Sequence, residues 1–220
     1  MPQTAVTEVV GSLDDLERFF GARRTSNENF FEEWQQNLPP LSQEDCRVLD
    51  QLRDRFRYQR NMGPVAEGAV NAIVISPLLS LVGFYDAPFR MRSEASIAIT
   101  TEVLVDPEAE DSEVKVLRGQ VDFLVLQDQF WQAVIESKET SFDIEMGIPQ
   151  ILTYMMGAPA SQNVVFGMVS NGNHFVFVKL RRSPVPEYEF SDIFSMIPRQ
   201  NRLYDVFQVL KRISSEIHSI

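Results

Sequence analysis

The sequence predicts a mixed α/β domain in which helices pack on a central sheet. Three observations lead there. Helical spacing of apolar residues dominates residues 12–62. From Arg90 the apolar period changes to two. The closing residues, 199–218, return to helical spacing. A chain of 220 residues, 44% hydrophobic and 23% charged, is long enough for one domain with a sizeable core. The pattern divides it into a helical N-terminal extension, 1–62, and a domain over 63–220, the two forming one compact unit.

Taken in order, Ser12 is a capping residue before Leu13–Phe20, with Asp14 and Asp15 in the first turn. A second helix is expected over Glu28–Asn37, ending before Pro39-Pro40. Ser42 and Asp45 open a third, with Val48, Leu49, Leu52 and Phe56 at helical spacing and Gly63 at its end. Pro64 starts a fourth, over 64–75, which Ser76-Pro77 is expected to break, leaving a short buried turn or helix at Leu78–Phe84. Ala95–Thr100 alternates as a strand does. The acidic stretch Asp106–Glu113 is expected as an exposed loop. Val114–Leu117 and Val121–Leu126 read as strand, Gln127–Gln129 as a turn, and Phe130–Lys138 as the returning strand. Residues 144–157 read as a helix stopping at Gly157. Val164–Val169 and His174–Leu180 read as a hairpin about Asn171-Gly172.

Composition removes several function classes. One cysteine, Cys46, excludes an internal disulfide framework, and its place in a polar helical run points to a structural or incidental role. Cys46, His174 and His218 are too dispersed for a zinc site. Met1-Pro2-Gln3-Thr4 shows no charged n-region followed by an apolar stretch, so no signal peptide is expected. The apolar run Ala69–Phe84 is too interrupted to span a bilayer, so no membrane association and a cytoplasmic location are expected. The net charge of −11 argues against the whole surface being a nucleic-acid platform. Basic residues nevertheless cluster at Arg53–Arg60, at Lys179, Arg181 and Arg182, and at Lys211–Arg212. The Arg53–Arg60 helix or the Lys179–Arg182 strand end is expected to flank the active cleft and contact phosphates.

Chemistry concentrates at two apolar strands. Asp122 lies inside one, and Glu136 and Lys138 inside the next. Burying such charges is costly unless they pair or bind metal. Residues two apart on a strand face one side, so Glu136 and Lys138 point together, and a turn at 127–129 brings Asp122 near Glu136. Two carboxylates and an ammonium converging on one point suit a hard cation with oxygen ligands, Mg2+ or Mn2+. Such an ion would activate water and neutralise phosphoryl charge, with Lys138 orienting the water. His174 is expected as an exposed strand residue, and Glu139, Asp143 and Glu145 as a solvated loop.

Asp122 followed after a hairpin by Glu136-Ser137-Lys138 resembles the motif of the PD-(D/E)XK, or restriction-endonuclease-like, nuclease superfamily, with Val121 where that motif often has Pro. Gln150 and Tyr154, four apart on the next helix, resemble its QxxxY motif. Phe166–Gly172 is similar to the strand and turn that follow in the nuclease domain of type I restriction motor subunits. The resemblance covers about 64–180 and contains no helicase motor segment. It implies a three-layer αβα core with a central mixed sheet, metal-dependent DNA cleavage, catalytic Asp122, Glu136, Lys138, Gln150 and Tyr154, and Glu67 joining Asp122 and Glu136 as a metal ligand. DNA is the expected partner, with a homodimer or partner subunit docking through the helical N-terminus. The alternative is a non-catalytic nuclease-fold binding or assembly protein.

Overall fold

A computed structural model describes residues 3–104 and 112–216. Helices lie at α1 (Val6–Val9), α2 (Leu13–Phe20), α3 (Gln43–Arg60), α4 (Glu67–Val70), α5 (Ser76–Val82), α6 (Ile148–Met156) and α7 (Leu203–Ser214). Strands lie at β1 (Gln3–Ala5), β2 (Arg23–Arg24), β3 (Phe89–Leu104), β4 (Ser112–Gln127), β5 (Phe130–Ser137), β6 (Val164–Ser170), β7 (His174–Arg181), β8 (Glu187–Phe190) and β9 (Phe194–Ser195). The strands join in one mixed sheet of order β1-β4-β5-β6-β7-β8-β2, with β3 added on β4 and β9 on β7. β5 and β6 are parallel, as are β1 with β4 and β2 with β8; the other ladders are antiparallel.

The central strands are apolar on both sides, as strands covered on both faces must be. Ala133, Ile135, Phe166, Met168, Phe175 and Phe177 turn toward one core, shared with α3, α5 and α7. Val134, Val165, Val169, Val176 and Val178 turn toward a second, shared with α1, α2 and α6. Chain order follows local chemistry at several ends. Ser12 and Ser42 each form a reciprocal capping box, with Asp15 and Asp45. The hairpin between β6 and β7 turns at Gly172, whose φ of 80° is costly for other residues. A Cβ there would also lie 2.7 Å from the Phe56 ring.

The structure departs from expectation at several elements. The N-terminal 62 residues are not wholly helical, because β1 and β2 enter the sheet. The helix expected over Glu28–Asn37 is a turn with a short 3-10 segment, Glu32–Trp34. There the Asn27 side chain accepts the Asn29 N–H, and the adjacent Phe30 and Phe31 are both buried. Neighbours on a helix diverge by about 100° and could not both enter one core so directly. Ser76-Pro77 does not break its helix. A π turn over Asn71–Ile75 precedes it and α5 runs on through Pro77, which sits in the first turn, where its missing N–H is tolerated. The β3–β4 ribbon begins at Phe89 rather than Ala95. Most of the acidic segment expected as a loop, Asp106–Glu113, lies outside the described residues, while Ser112 and Glu113 belong to β4. The last helix is shorter than expected and begins at Leu203.

Candidate active site

The two motif strands pair antiparallel, with Phe123 opposite Ile135 and Leu124 opposite Val134. Asp122 and Glu136 therefore fall at one level of the ladder, on the α6 side of the sheet. The Asp122 charge acts on Glu136. Asp122 Oδ2 accepts from the Ser137 backbone N–H and from the Ser137 hydroxyl, each at 2.6 Å. Sequence reading passed over Ser137, a small residue between two charged ones that fixes the Asp122 carboxylate to the end of β5.

Glu136 is 2% exposed. Its Oε1 accepts from Lys138 Nζ at 2.6 Å and from Gln150 Nε2 at 2.7 Å. Its Oε2 is buried and has no hydrogen-bond partner among the described residues. Burial raises the Glu136 pKa to about 7, against the opposing pull of Lys138, and the charges of Asp122 and Glu67 push the same way as burial. Lys138 follows the last residue of β5, with its backbone N–H donating to Ser170 O at 2.8 Å. Burial lowers the Lys138 pKa, but the Glu136 charge and hydrogen bond outweigh it, so the net shift is upward and Lys138 remains an ammonium. Its Nζ also lies 5.8 Å from the centre of the Phe142 ring.

Gln150 and Tyr154 face this group from α6. Gln150 Nε2 also reaches the Tyr154 hydroxyl, at 2.9 Å. That hydroxyl accepts a further hydrogen bond from the Gln120 backbone, although burial raises the Tyr154 pKa overall. Tyr154 therefore ties α6 to β4 and steadies the amide that holds Glu136. The close approach depends on Gly119, where a Cβ would lie 2.3 Å from Tyr154 Cε1. No local pattern marks Gly119 as a site residue, because its role exists only once α6 crosses β4.

Glu67 opens α4 at the same end of β5. Val65 N–H donates to Thr140 Oγ1 at 2.8 Å, and Thr140 N–H donates to Val65 O at 3.1 Å. This two-bond clasp holds the start of α4 beside the segment after Lys138. Glu67 is exposed at its surface, and its pKa is raised by partial burial and then by the Asp122 charge. Asp122, Glu136, Lys138, Gln150 and Tyr154 are thus brought together, with Glu67 within electrostatic reach. Among the described residues, however, no three His, Cys, Asp or Glu side chains stand in cation-holding geometry as they are.

Other expectations need correction. His174 is half-buried rather than exposed, and burial lowers its pKa against the opposing charge of Asp143. The Lys179–Arg182 cluster does not flank the site. Ser137 pairs with Ser170, and Ser170 with Phe175, whereas Arg181 pairs with Val164 at the far end of the same strands. Six residues of strand separate the two ends, roughly 20 Å. The cluster is also engaged internally. Lys179 pairs with Glu33 at 2.5 Å, Arg181 pairs with Glu187, and Arg182 donates to the carbonyls of Ala158, Pro159 and Gln162. Arg53–Arg60 divides: Arg53 pairs with Asp50 and Asp54, while Arg57 and Arg60 lie at the C-terminal end of α3.

No helix among the described residues is long and apolar enough to cross a membrane. No protein-family model and no curated protein matches the chain. Among solved structures, it is similar to one described as a fragment of a type I restriction enzyme HsdR subunit from Vibrio vulnificus YJ016, at 16% identity and a TM-score of 0.37. The match covers 64% of this chain and 26% of that one.

Proposed function

We propose that the protein is a Mg2+- or Mn2+-dependent endonuclease that hydrolyses DNA phosphodiester bonds, built on a restriction-endonuclease-like αβα core. The observation that carries this reading is the Glu136 carboxylate. One of its oxygens is shared by Lys138 and Gln150, and the other is buried without a partner among the described residues. A buried acceptor left unpaired is costly, and a hard cation is a partner that suits a carboxylate oxygen. Asp122 and Glu67 offer further carboxylate oxygens at the same strand end, and side-chain rotation would close the three around one ion.

When bound, the ion supplies an activated water and neutralises charge on the phosphoryl oxygens. The chain supplies the rest. Lys138 keeps its ammonium beside Glu136, where it can donate to the attacking water or to a developing negative charge. Gln150 holds the Glu136 rotamer, and Tyr154 holds Gln150. Ser137 fixes Asp122.

Incubation with plasmid DNA and Mg2+ or Mn2+ tests the reading. Wild type is expected to cut, chelation to stop it, and Asp122→Ala and Lys138→Ala to abolish it. Equal cutting by the variants would remove these residues from catalysis. A folded wild type that neither cuts nor binds Mg2+ by calorimetry would be a non-catalytic nuclease-fold binding or assembly protein.

A further inference from the structure

Two clefts border the strand end that carries the carboxylates, and their chemistry differs. The larger, about 560 Å3, has Asp143 and Glu145 in its lining, and its Arg24 is paired with Glu189. That wall disfavours an anion. The smaller, about 380 Å3, lies between the C-terminal end of α3 and the segment after β9. This is near the low end of small-molecule sites, roughly 300–1,000 Å3.

The smaller cleft presents two kinds of surface. Its apolar side is floored by Phe56 and Met196, both buried, and capped by Ile197, 67% exposed. Arg57, Arg60 and Asn61 line the other side along one helix face, and Asn173 closes the end. Arg57 anchors the wall by donating to Met196 O at 3.0 Å and Pro198 O at 2.6 Å. Arg60 is exposed, and its guanidinium makes only a long contact, 3.4 Å, to Gly63 O. Among the described residues neither arginine forms an ion pair, unlike Arg53, Lys179 and Arg181. Asn173 links the cleft to the catalytic segment: its Nδ2 donates to Thr140 O at 3.4 Å, and its carbonyl accepts from Met196 N–H at 2.7 Å.

We propose that this cleft, on the α3 face at the sheet end that carries the carboxylates, is a nucleotide subsite that takes one phosphate-linked nucleotide of a single strand passing around that end; its orientation toward the scissile bond rests on the nuclease reading. Arg60, supported by Arg57, takes the phosphate. Ile197, the exposed apolar side chain of the cleft, takes a base face over the buried Met196, and the Asn61 and Asn173 amides lie near its edge. A cationic groove that follows the backbone, with contacts that read no base edge, holds single strands without a sequence code.

The test is fluorescence anisotropy of a fluorescein-labelled oligothymidylate with chelator present, so that no cleavage intervenes. Arg60→Ala is expected to weaken binding about tenfold and to lower the salt slope by about 0.7, one phosphate contact on a single strand. Ile197→Glu is expected to weaken it similarly, while Arg181→Ala, at the far end of the sheet, leaves it unchanged. Arg60 and Ile197 are exposed and Arg181 is half-buried, and thermal melting checks that each variant folds. Thymidine 5′-monophosphate should displace the probe at lower concentration than inorganic phosphate; equal displacement would overturn the base-binding part. Absence of binding by wild type, or wild-type binding by both Arg60→Ala and Ile197→Glu, overturns the subsite. The two readings separate in the same preparations. Lys138-dependent cutting with Arg60-independent binding removes the subsite alone. Arg60-dependent binding without any cutting by wild type removes the nuclease reading alone.

Discussion

Glu136→Gln turns the most perturbed group of the site into a stability measurement. The Glu136 carboxyl is 2% exposed, and its pKa stands at about 7 against an ordinary 4.5. The gap, 7 minus 4.5, is about 2.5 pH units, or roughly 3 kcal/mol between the two protonation states. The sign follows from linkage. An acid whose folded pKa is raised contributes stability that is fully present below the unfolded value and is lost as pH rises through the folded one. Wild type should therefore lose up to about 3 kcal/mol from this group between about pH 4.5 and pH 8, and the glutamine variant should not. Urea unfolding with chelator near each end of that window reads the difference. The variant's stability relative to wild type should rise with pH by roughly 2–3 kcal/mol, less whatever Lys138 loses without its charged partner. A difference that stays flat with pH would refute the reasoning, because Glu136 would then carry no folding-linked proton. At the upper pH, Mg2+ at ten times its dissociation constant should restore about 1.4 kcal/mol to wild type and nothing to the variant. Equal stabilisation of both would remove Glu136 from the metal site.

Two further predictions concern its supports. Gly119→Ala places a Cβ where the Tyr154 ring stands, 2.3 Å from Cε1, so the ring must move. The expected cost is about 1–3 kcal/mol, with a melting temperature lower by several degrees and slower DNA cutting; unchanged melting and cutting would mean that Tyr154 does not steady the site. Lys179→Met leaves Glu33 13% exposed and unpaired, with an expected cost of about 3–5 kcal/mol in urea unfolding. Adding Glu33→Leu should recover most of it, while cutting by the double variant stays at the wild-type level.

The parts of the fold legible in the sequence are those whose signals are local. The capping boxes at Ser12 and Ser42, the helices they start, and the β6–β7 hairpin at Asn171-Gly172 follow from side chains within a few residues of one another. What could not be read depends on distant partners. β1 and β2 are three and two residues long and exist because β4 and β8 offer free edges. Glu28–Asn37 has helix-forming residues, yet Phe31 stacks on Phe166, 6.1 Å between ring centres, and burial of both phenylalanines overrides local preference. Pro77 looked like a break because the π turn before it carries no recognisable sequence mark.

The same division runs through the site. Asp122, Glu136 and Lys138 stand out because charges inside apolar strands demand a reason, and the strand period predicts that two of them face together. Gln150 and Tyr154 follow from helical spacing, and both reach the same carboxylate chain of contacts. Ser137, Gly119 and Thr140 are invisible by comparison, since a small residue announces neither charge nor period. The basic clusters show the limit most clearly. Lys179, Arg181 and Arg182 resemble an anion-binding run in sequence, but each is engaged by a side chain or carbonyl of its own fold. Arg57 and Arg60 lie past Asp54, the last acid of α3, and among the described residues neither forms an ion pair at the end of the sheet that carries the carboxylates. With a net charge of −11, the field over most of this surface repels a polyanion. Screening confines that repulsion to about 8–10 Å at physiological salt, so Arg60, which makes no ion pair among the described residues and stands beside an Arg57 held by backbone carbonyls, can act locally where a larger cluster tied up within the fold cannot.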